Sequence, residues 1–414
     1  MLLLCTCIAL VAANSHWADT YAHVWETTLG VRVGSHEFVR TSREWINDGL
    51  MTVFFFVVAL ELKRELVRGE MRDPRRAALS IASALGGMLV PAATYLALMS
   101  GREGSHGWGT VMATDTAFAI GCLALLGRRI PRELRVFMLS LAVIDDVGAI
   151  LVVAIGYTSE LSLPWLATGA TAMLFVRGMG VLGIRSIPLY FLMGTLCWLA
   201  VDASGIHATI TGVVLGLLTP TGTWVSSRRL QAILDRVVVE PTGDERRDRA
   251  ARHNAWRLAE VATRESLSPV ERLEVLLHPW VGFAIMPLFA LANAGMPFHA
   301  SDVANPVTLA VFVGLTVGKP VGIVLFAWLS IRLGLARRPR TMTWGMLVGG
   351  GLLSGIGFAM ALFIAELSFP VALRHSAKLG ILAASAASAT AGVAVLYWST
   401  KGVRVGIRPR RRAA

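Results

Sequence analysis

Charge is what this chain has least of. Only 16% of its 414 residues are Asp, Glu, Lys or Arg, against 55% hydrophobic, and the mean hydropathy is +0.61. Soluble domains carry about 25% charged residues, so an ordinary water-soluble protein of this length is excluded. Cysteine is scarce as well. Cys5, Cys7, Cys122 and Cys197 all fall in apolar stretches without zinc-type spacing, which excludes a disulfide framework and leaves them as small packing residues. Acid is short relative to base, with 27 Asp and Glu against 39 Lys and Arg, for a formal charge of +12. Such an excess suits nucleic acid, but its distribution excludes that reading.

What is present is a series of long apolar runs. About twelve are of spanning or near-spanning length, over 1–14, 45–62, 77–100, 107–127, 133–157, 163–177, 186–201, 205–218, 278–296, 306–331, 342–368 and 377–399. The runs near 163–177, 186–201 and 205–218 are short. The expected fold is an all-α polytopic membrane protein. With both termini on one side, 32 of the 39 basic residues fall on that side, in 63–76, 127–135, Arg177, Arg185, 226–277, 332–340 and the tail from Lys401. Arg32, Arg40, Arg43, Arg102, Arg374 and Lys378 fall on the other. Basic residues favour the cytoplasmic side, so both termini are expected there, and the basic patches face lipid headgroups rather than nucleic acid. One cation, Lys319, is left inside a span.

The expected organisation is 1–76 with two helices, 77–158, 159–218, a cytoplasmic connector over 219–277, 278–304, 305–400 and a basic tail over 401–414. LGVRVGSHEFVR (29–40) has a hairpin pattern around Gly34-Ser35 and, being marginal alone, is expected to pack against something such as a partner subunit. DERRDRAARHNAW marks the connector as charged and partly helical. The opening MLLLCTCIALVAANS resembles a signal-peptide core but lacks preceding basic residues, and reads as a first span without its beginning.

Four ionisable residues lie well inside spans: Asp115 in VMATDTAFAIG, Asp145 and Asp146 in AVIDDVGAI, and Lys319 in TVGKPVG. Each costs about 2.5–3.5 kcal/mol to insert, so together they cost about 10 kcal/mol or more, a large figure beside a stability of about 5–15 kcal/mol. Three acids against one base leave net negative charge, which suits a cation or protons. Adjacent helix positions point about 100° apart, so one of Asp145 and Asp146 is expected toward Lys319 and the other toward a cavity beside Asp115. Carboxylates with a hydroxyl such as Thr114 are hard ligands for hard cations. Crowded, desolvated carboxylates also hold protons as a coupled set. A site that takes a proton or a cation, not both, is an exchanger.

Two spans look breakable: MATDTAFAIG, with polar TDT in mid-span, and WGMLVGGGLLSGIGFAM (344–360), with six glycines. Each centres a three-span group, 77–157 and 306–399, and four intervening spans make the groups inverted repeats; interrupted helices in corresponding places of two repeats mark transport sites. Close helix packing is the other reading of the glycines. Asp48, Glu61, Arg64 and Glu65 lie near the ends of the second span, and His278 at a cytoplasmic mouth. His207 is either a packed histidine or a proton-linked one, and Glu366 reads as a membrane-end charge.

WINDGLM, ALELKREL, ATDTAFAIG, LAVIDDVGAI, GIHATITG, HPWVGFAIMPLFALANAG, VGKPVGI and SGIGFAMALFIAEL together resemble the NhaA family of bacterial sodium/proton antiporters, collinearly from about residue 1 to 395. The resemblance implies twelve spans with two inverted three-helix repeats whose broken helices cross, a rule for which that family is itself a source case. It implies Asp115 at the crossing, Lys319 balancing the negative helix ends, Asp146 as principal sodium and proton ligand with Thr114 near it, and Asp145 as partner of Lys319. It further implies electrogenic, pH-regulated exchange of internal Na+ or Li+ for external protons by alternating access, in the inner membrane, without a cofactor. Glu61, Arg64, Glu65, Glu274 and His278 resemble the family's regulatory cluster, to which His207 is added, with Asp48 as an accessory residue. The hairpin matches the family's homodimer contact. Val275 stands where a second histidine is common, and the 226–270 loop is longer than in compact members.

Other classes fit less well. A sodium-driven symporter needs an organic-substrate pocket, and no extra charged or aromatic cluster marks one. An intramembrane aspartyl protease needs its aspartates on different helices and a GxGD sequence, which does not occur. A cation channel has no use for Lys319.

Overall fold

A computed structural model describes residues 1–33, 36–68, 74–157, 161–184, 186–222, 268–339 and 341–401. The hairpin tip, most of the connector and the basic tail therefore lie outside the described residues. The protein is mainly helical. Among the described residues, seven helices are long and apolar enough to cross a membrane: Ser42–Val67, Ala77–Leu98, Ser105–Leu126, Arg132–Gly156, Pro269–Asn293, Pro306–Arg332 and Val371–Thr400. Two bent pairs raise the number to nine: Leu2–Ala13 with Ala18–Glu26, bent by 114°, and Trp344–Ser354 with Phe358–Ser368, bent by 45°. The difference from the expected twelve falls on Leu163–Val181, Ile187–Ala203 and Thr209–Leu218, whose apolar runs are short. Ala18–Glu26 was not expected as a helix at all; its low hydropathy hid it behind the turn at Asn14.

The strands Thr28–Val33 (β1) and His36–Thr41 (β2) pair antiparallel, with Thr28 opposite Thr41 and Val33 opposite His36. Thr41 then caps the following helix, accepting from the Glu44 amide at 3.2 Å while Glu44 reaches back to the Thr41 amide at 2.8 Å. Trp45 Nε1 donates to the Leu29 carbonyl at 2.8 Å and ties the hairpin to that helix.

Lipid is as apolar as a leucine side chain, so helices in a membrane associate through close packing, and small residues let them approach. Gly86 on Pro74–Leu98 and Gly322 on Lys319–Arg332 show this. A Cβ on either would collide with the carbonyl oxygen of the other. The same crossing holds Lys319, one turn before Gly322, against the middle of the protein. At that centre lies Arg132–Gly156, with 72% of its most apolar window buried, against 39–56% for the other long helices. It carries Asp145 and Asp146. Glycine fills the same role in the 344–357 stretch, where a Cβ on Gly349 would lie 2.7 Å from Leu396 and one on Gly355 2.5 Å from the Leu315 carbonyl oxygen. The two readings of that run are therefore both present: close packing along it, and a break at its end.

Gly322→Val should force these helices apart and lower stability by about 1–3 kcal/mol, the usual cost of overpacking. Thermal unfolding in detergent should show a lower midpoint, while Gly121→Ala, a helical position whose Cβ meets open space, should leave it unchanged or raised. Equal midpoints for both variants would contradict the crossing.

Candidate functional site

The site is built where two helix interruptions meet. Ser105–Met112 winds as a 3-10 helix, the chain extends through Ala113 and Asp115, and a new helix starts at Thr116 and runs to Leu126. The second interruption separates Trp344–Ser354 from Phe358–Ser368. The Asp115 amide donates to the Ile356 carbonyl at 2.7 Å, joining one break to the other.

Two helix N-termini point into this junction, each equivalent to about half a positive charge. One carboxylate serves both. Asp115 Oδ1 accepts from the Phe118 amide at 3.0 Å, and Oδ2 from the Ala359 amide at 3.1 Å. The opposite sign arises at Met112, where the preceding half-helix ends in free carbonyls. Lys319 Nζ donates to the Met112 carbonyl oxygen. Lys319 is fully buried at the start of Lys319–Arg332, directly after a π-helical turn over Gly314–Gly318.

Asp145 and Asp146 are both buried yet differ in partners. Asp145 Oδ2 lies 3.2 Å from Lys319 Nζ and accepts from the Thr114 hydroxyl at 2.7 Å. That hydroxyl also lies 3.0 Å from the Ser354 carbonyl oxygen, on the other broken span. Asp145 Oδ1 is buried without a hydrogen-bond partner among the described residues. Asp146 keeps 6% exposure, against 1% for Asp115 and Asp145 and none for Lys319. Among the described residues it has no cationic partner, and its one hydrogen bond is a long one, from the Thr116 hydroxyl at 3.4 Å. The charges can now be assigned. Asp115 meets the helix ends and Asp145 pairs with Lys319, whereas Asp146 has no ion pair among the described residues. A buried carboxylate in that position takes up a proton or a cation.

The structure brings Thr114, Asp145 and Lys319 into direct contact, while Asp115, next to Thr114 in the chain, bonds the two breaks and Asp146 meets Thr116. Thr114 faces Asp145 rather than Asp146, so the hydroxyl beside Asp146 is Thr116, which the sequence reading passed over as part of a polar TDT. A second group forms at one end of Met51–Arg68. Arg64 lies 2.5 Å from Glu274, 3.9 Å from Glu61 and 3.8 Å from Glu65. His278 follows Glu274 one turn later on Pro269–Trp280. The other Glu274 oxygen, Oε2, is buried and unpartnered among the described residues.

His207 is not part of that group. Its Nε2 is 3.8 Å from Asp48, its Nδ1 3.0 Å from Thr209, and its ring stands edge-on to Phe363. Arg40 bridges Asp48 and Asp202 there, with its guanidinium over Phe38 and Trp198. Sequence reading missed Arg40 and Asp202 because they are 162 positions apart. Glu366 is more than a membrane-end charge: it is buried, 2.5 Å from Lys378 and 3.1 Å from Arg374. Lys378, counted from the sequence on the side opposite the termini, is buried within a helix that starts at Val371.

A model of the Na+/H+ antiporter 1 family matches residues 1–396. The Na+/H+ antiporter NhaA of Rhizobium meliloti (strain 1021) is 58% identical over 397 residues, covering 96% of this chain and 91% of that protein. The Na+/H+ antiporter NhaA 2 of Acidiphilium cryptum (strain JF-5) is 57% identical over 396 residues, covering 96% and 88%. The Na+/H+ antiporter NhaA 2 of Vibrio vulnificus (strain CMCP6) is 52% identical over 398 residues, covering 96% and 89%. These relatives are named as transporters, not enzymes. A likeness of this extent, over nearly the whole of both chains, settles the family: the protein belongs to the NhaA Na+/H+ antiporters.

Proposed function

We propose that this protein is an electrogenic, pH-regulated antiporter that extrudes Na+ or Li+ in exchange for external protons. One observation carries the reading. Of two adjacent intramembrane aspartates, Asp145 is locked to Lys319, while Asp146 retains 6% exposure and has no cationic partner among the described residues. Asp146 is the ligand for which cation and proton compete. Asp145 and Lys319 share a second exchangeable proton, so more than one proton moves per cation. The resulting net charge couples the cycle to membrane potential, at about 2.3 kcal/mol per charge per 100 mV.

The same reading assigns the remaining parts. Asp115 holds the two breaks together while one side of the site closes and the other opens, which is alternating access. The twelve-span count rests on counting Leu163–Val181, Ile187–Ala203 and Thr209–Leu218 as crossings, and it makes 77–157 and 306–399 inverted repeats with crossing broken helices. Basic residues then place both termini in the cytoplasm of a bacterial inner membrane. Glu61, Arg64, Glu65, Glu274 and His278 form the cytoplasmic pH-sensing group. His207 and Asp48 act at the opposite end. The hairpin serves as the homodimer contact and lipid headgroups meet the basic patches. No cofactor is required.

In everted vesicles holding a preformed pH gradient, Na+ or Li+ should collapse the gradient. Because protons compete for the same carboxylate, the apparent KM for Na+ should fall as the pH rises from about 6.5 to 9. Asp146→Asn should abolish exchange with insertion intact; full activity in that variant refutes its role. Lys319→Ala strands a buried carboxylate and should destabilise by about 3–5 kcal/mol, seen as a lower thermal midpoint. Adding Asp145→Asn to it should restore much of that loss, and an unchanged midpoint in the single variant would contradict the pairing.

A further inference from the structure

Thr116 stands beside Asp146, the aspartate of the adjacent pair that has no ion pair among the described residues. The other candidate hydroxyl is already committed, since Thr114 is bonded to Asp145 and lies against the Ser354 carbonyl. Thr116 Oγ1 and Asp146 Oδ2 are 3.4 Å apart, at the far limit of a hydrogen bond. As a hydrogen bond this is poor. As an edge of a coordination shell it fits.

Two oxygens bound in neighbouring positions of an octahedral shell are separated by the square root of two times the metal–oxygen distance. At about 2.4 Å, inside the range of a hard cation such as Ca2+, the edge is about 3.4 Å. Na+ is close to Ca2+ in size. At the about 2.0–2.1 Å of a compact octahedral ion such as Mg2+, the edge shrinks to about 2.9 Å. The spacing observed is that of the larger ion.

Local structure fixes Thr116 in place. It is the first residue of Thr116–Leu126, with Asp115 as the capping residue, so its backbone cannot drift relative to the junction. The positive end of that helix would repel a cation, but the Asp115 carboxylate offsets it. Asp146 is more than nine-tenths buried, ionisable and otherwise unpartnered among the described residues, and Thr116 is half-buried at its side.

We propose that the Thr116 hydroxyl is a direct ligand of the transported cation, beside Asp146. This rests on the antiport reading and deepens it. The test is Thr116→Val, Thr116→Ala and Thr116→Ser in proteoliposomes, with apparent KM and maximal rate measured for Na+ and for Li+ at fixed pH. Thr116→Val should raise the KM for Na+ about tenfold, the equivalent of 1.4 kcal/mol. The maximal rate should be kept, and Thr116→Ser should restore the wild-type KM. Should valine impair insertion, Thr116→Ala carries the same expectation. Wild-type KM values for both ions in these variants would overturn the proposal, as would an unchanged KM with a fall in maximal rate. Calorimetric titration of purified protein with NaCl reads the same hydroxyl without transport, and Thr116→Val must weaken it by a similar factor. A wild type that performs no exchange sinks the antiport reading instead; Na+ binding unchanged in Thr116→Val sinks this one.

Discussion

A charge withdrawn from water needs a partner, and the rest of this structure follows from how that need is met. The Asp115 carboxylate is the pivot. It accepts from Phe118 on one broken span and from Ala359 on the other, so a single negative charge cancels two half-helix ends that would otherwise repel each other. Without it, two positive N-termini could not meet in an apolar interior, and the breaks at 113–115 and 355–357 would have no stable junction. Lys319 performs the complementary task at the Met112 carbonyl, and in doing so neutralises Asp145. Once those charges are satisfied, only Asp146 remains. Its isolation is a consequence of the electrostatics around it.

Packing supplies the geometry that the charges need. Lys319 is held in the centre by the Gly86–Gly322 crossing, where two backbones approach closer than any side chain allows. The helix bearing both aspartates is the most enclosed of the long helices. Toward one end, Arg40 ties the hairpin to Asp48 and Asp202, so the strands are fastened to the bundle by half-buried charge as well as by Trp45. Toward another, Arg64 gathers three glutamates. Each polar cluster sits at a place where helices from distant parts of the chain meet.

Much of this was legible from the sequence, for physical reasons. Asp115, Asp145, Asp146 and Lys319 stand out because charge is expensive in an apolar run. The interruptions stand out because TDT and SGIG are poor continuations of a helix. Rotation by about 100° per residue requires the adjacent aspartates to differ. It does not say which hydroxyl each would meet, and Thr114 proved to face Asp145 while Thr116 faces Asp146. Long-range ion pairs such as Arg40–Asp202 and Glu366–Lys378 leave no local pattern, because their partners are brought together only by tertiary packing. Ala18–Glu26 was invisible for a different reason: it is a short helix of mixed polarity, bent away from the span before it.

The central claim is that a cation and a proton compete for Asp146. It is tested most directly by counting protons released when Na+ binds, through calorimetry of the purified protein in buffers of different ionisation enthalpy. The account predicts net proton release near about pH 7, declining as the pH rises and the site empties of protons, and none in Asp146→Asn. Na+ binding with no proton release at any pH would contradict it.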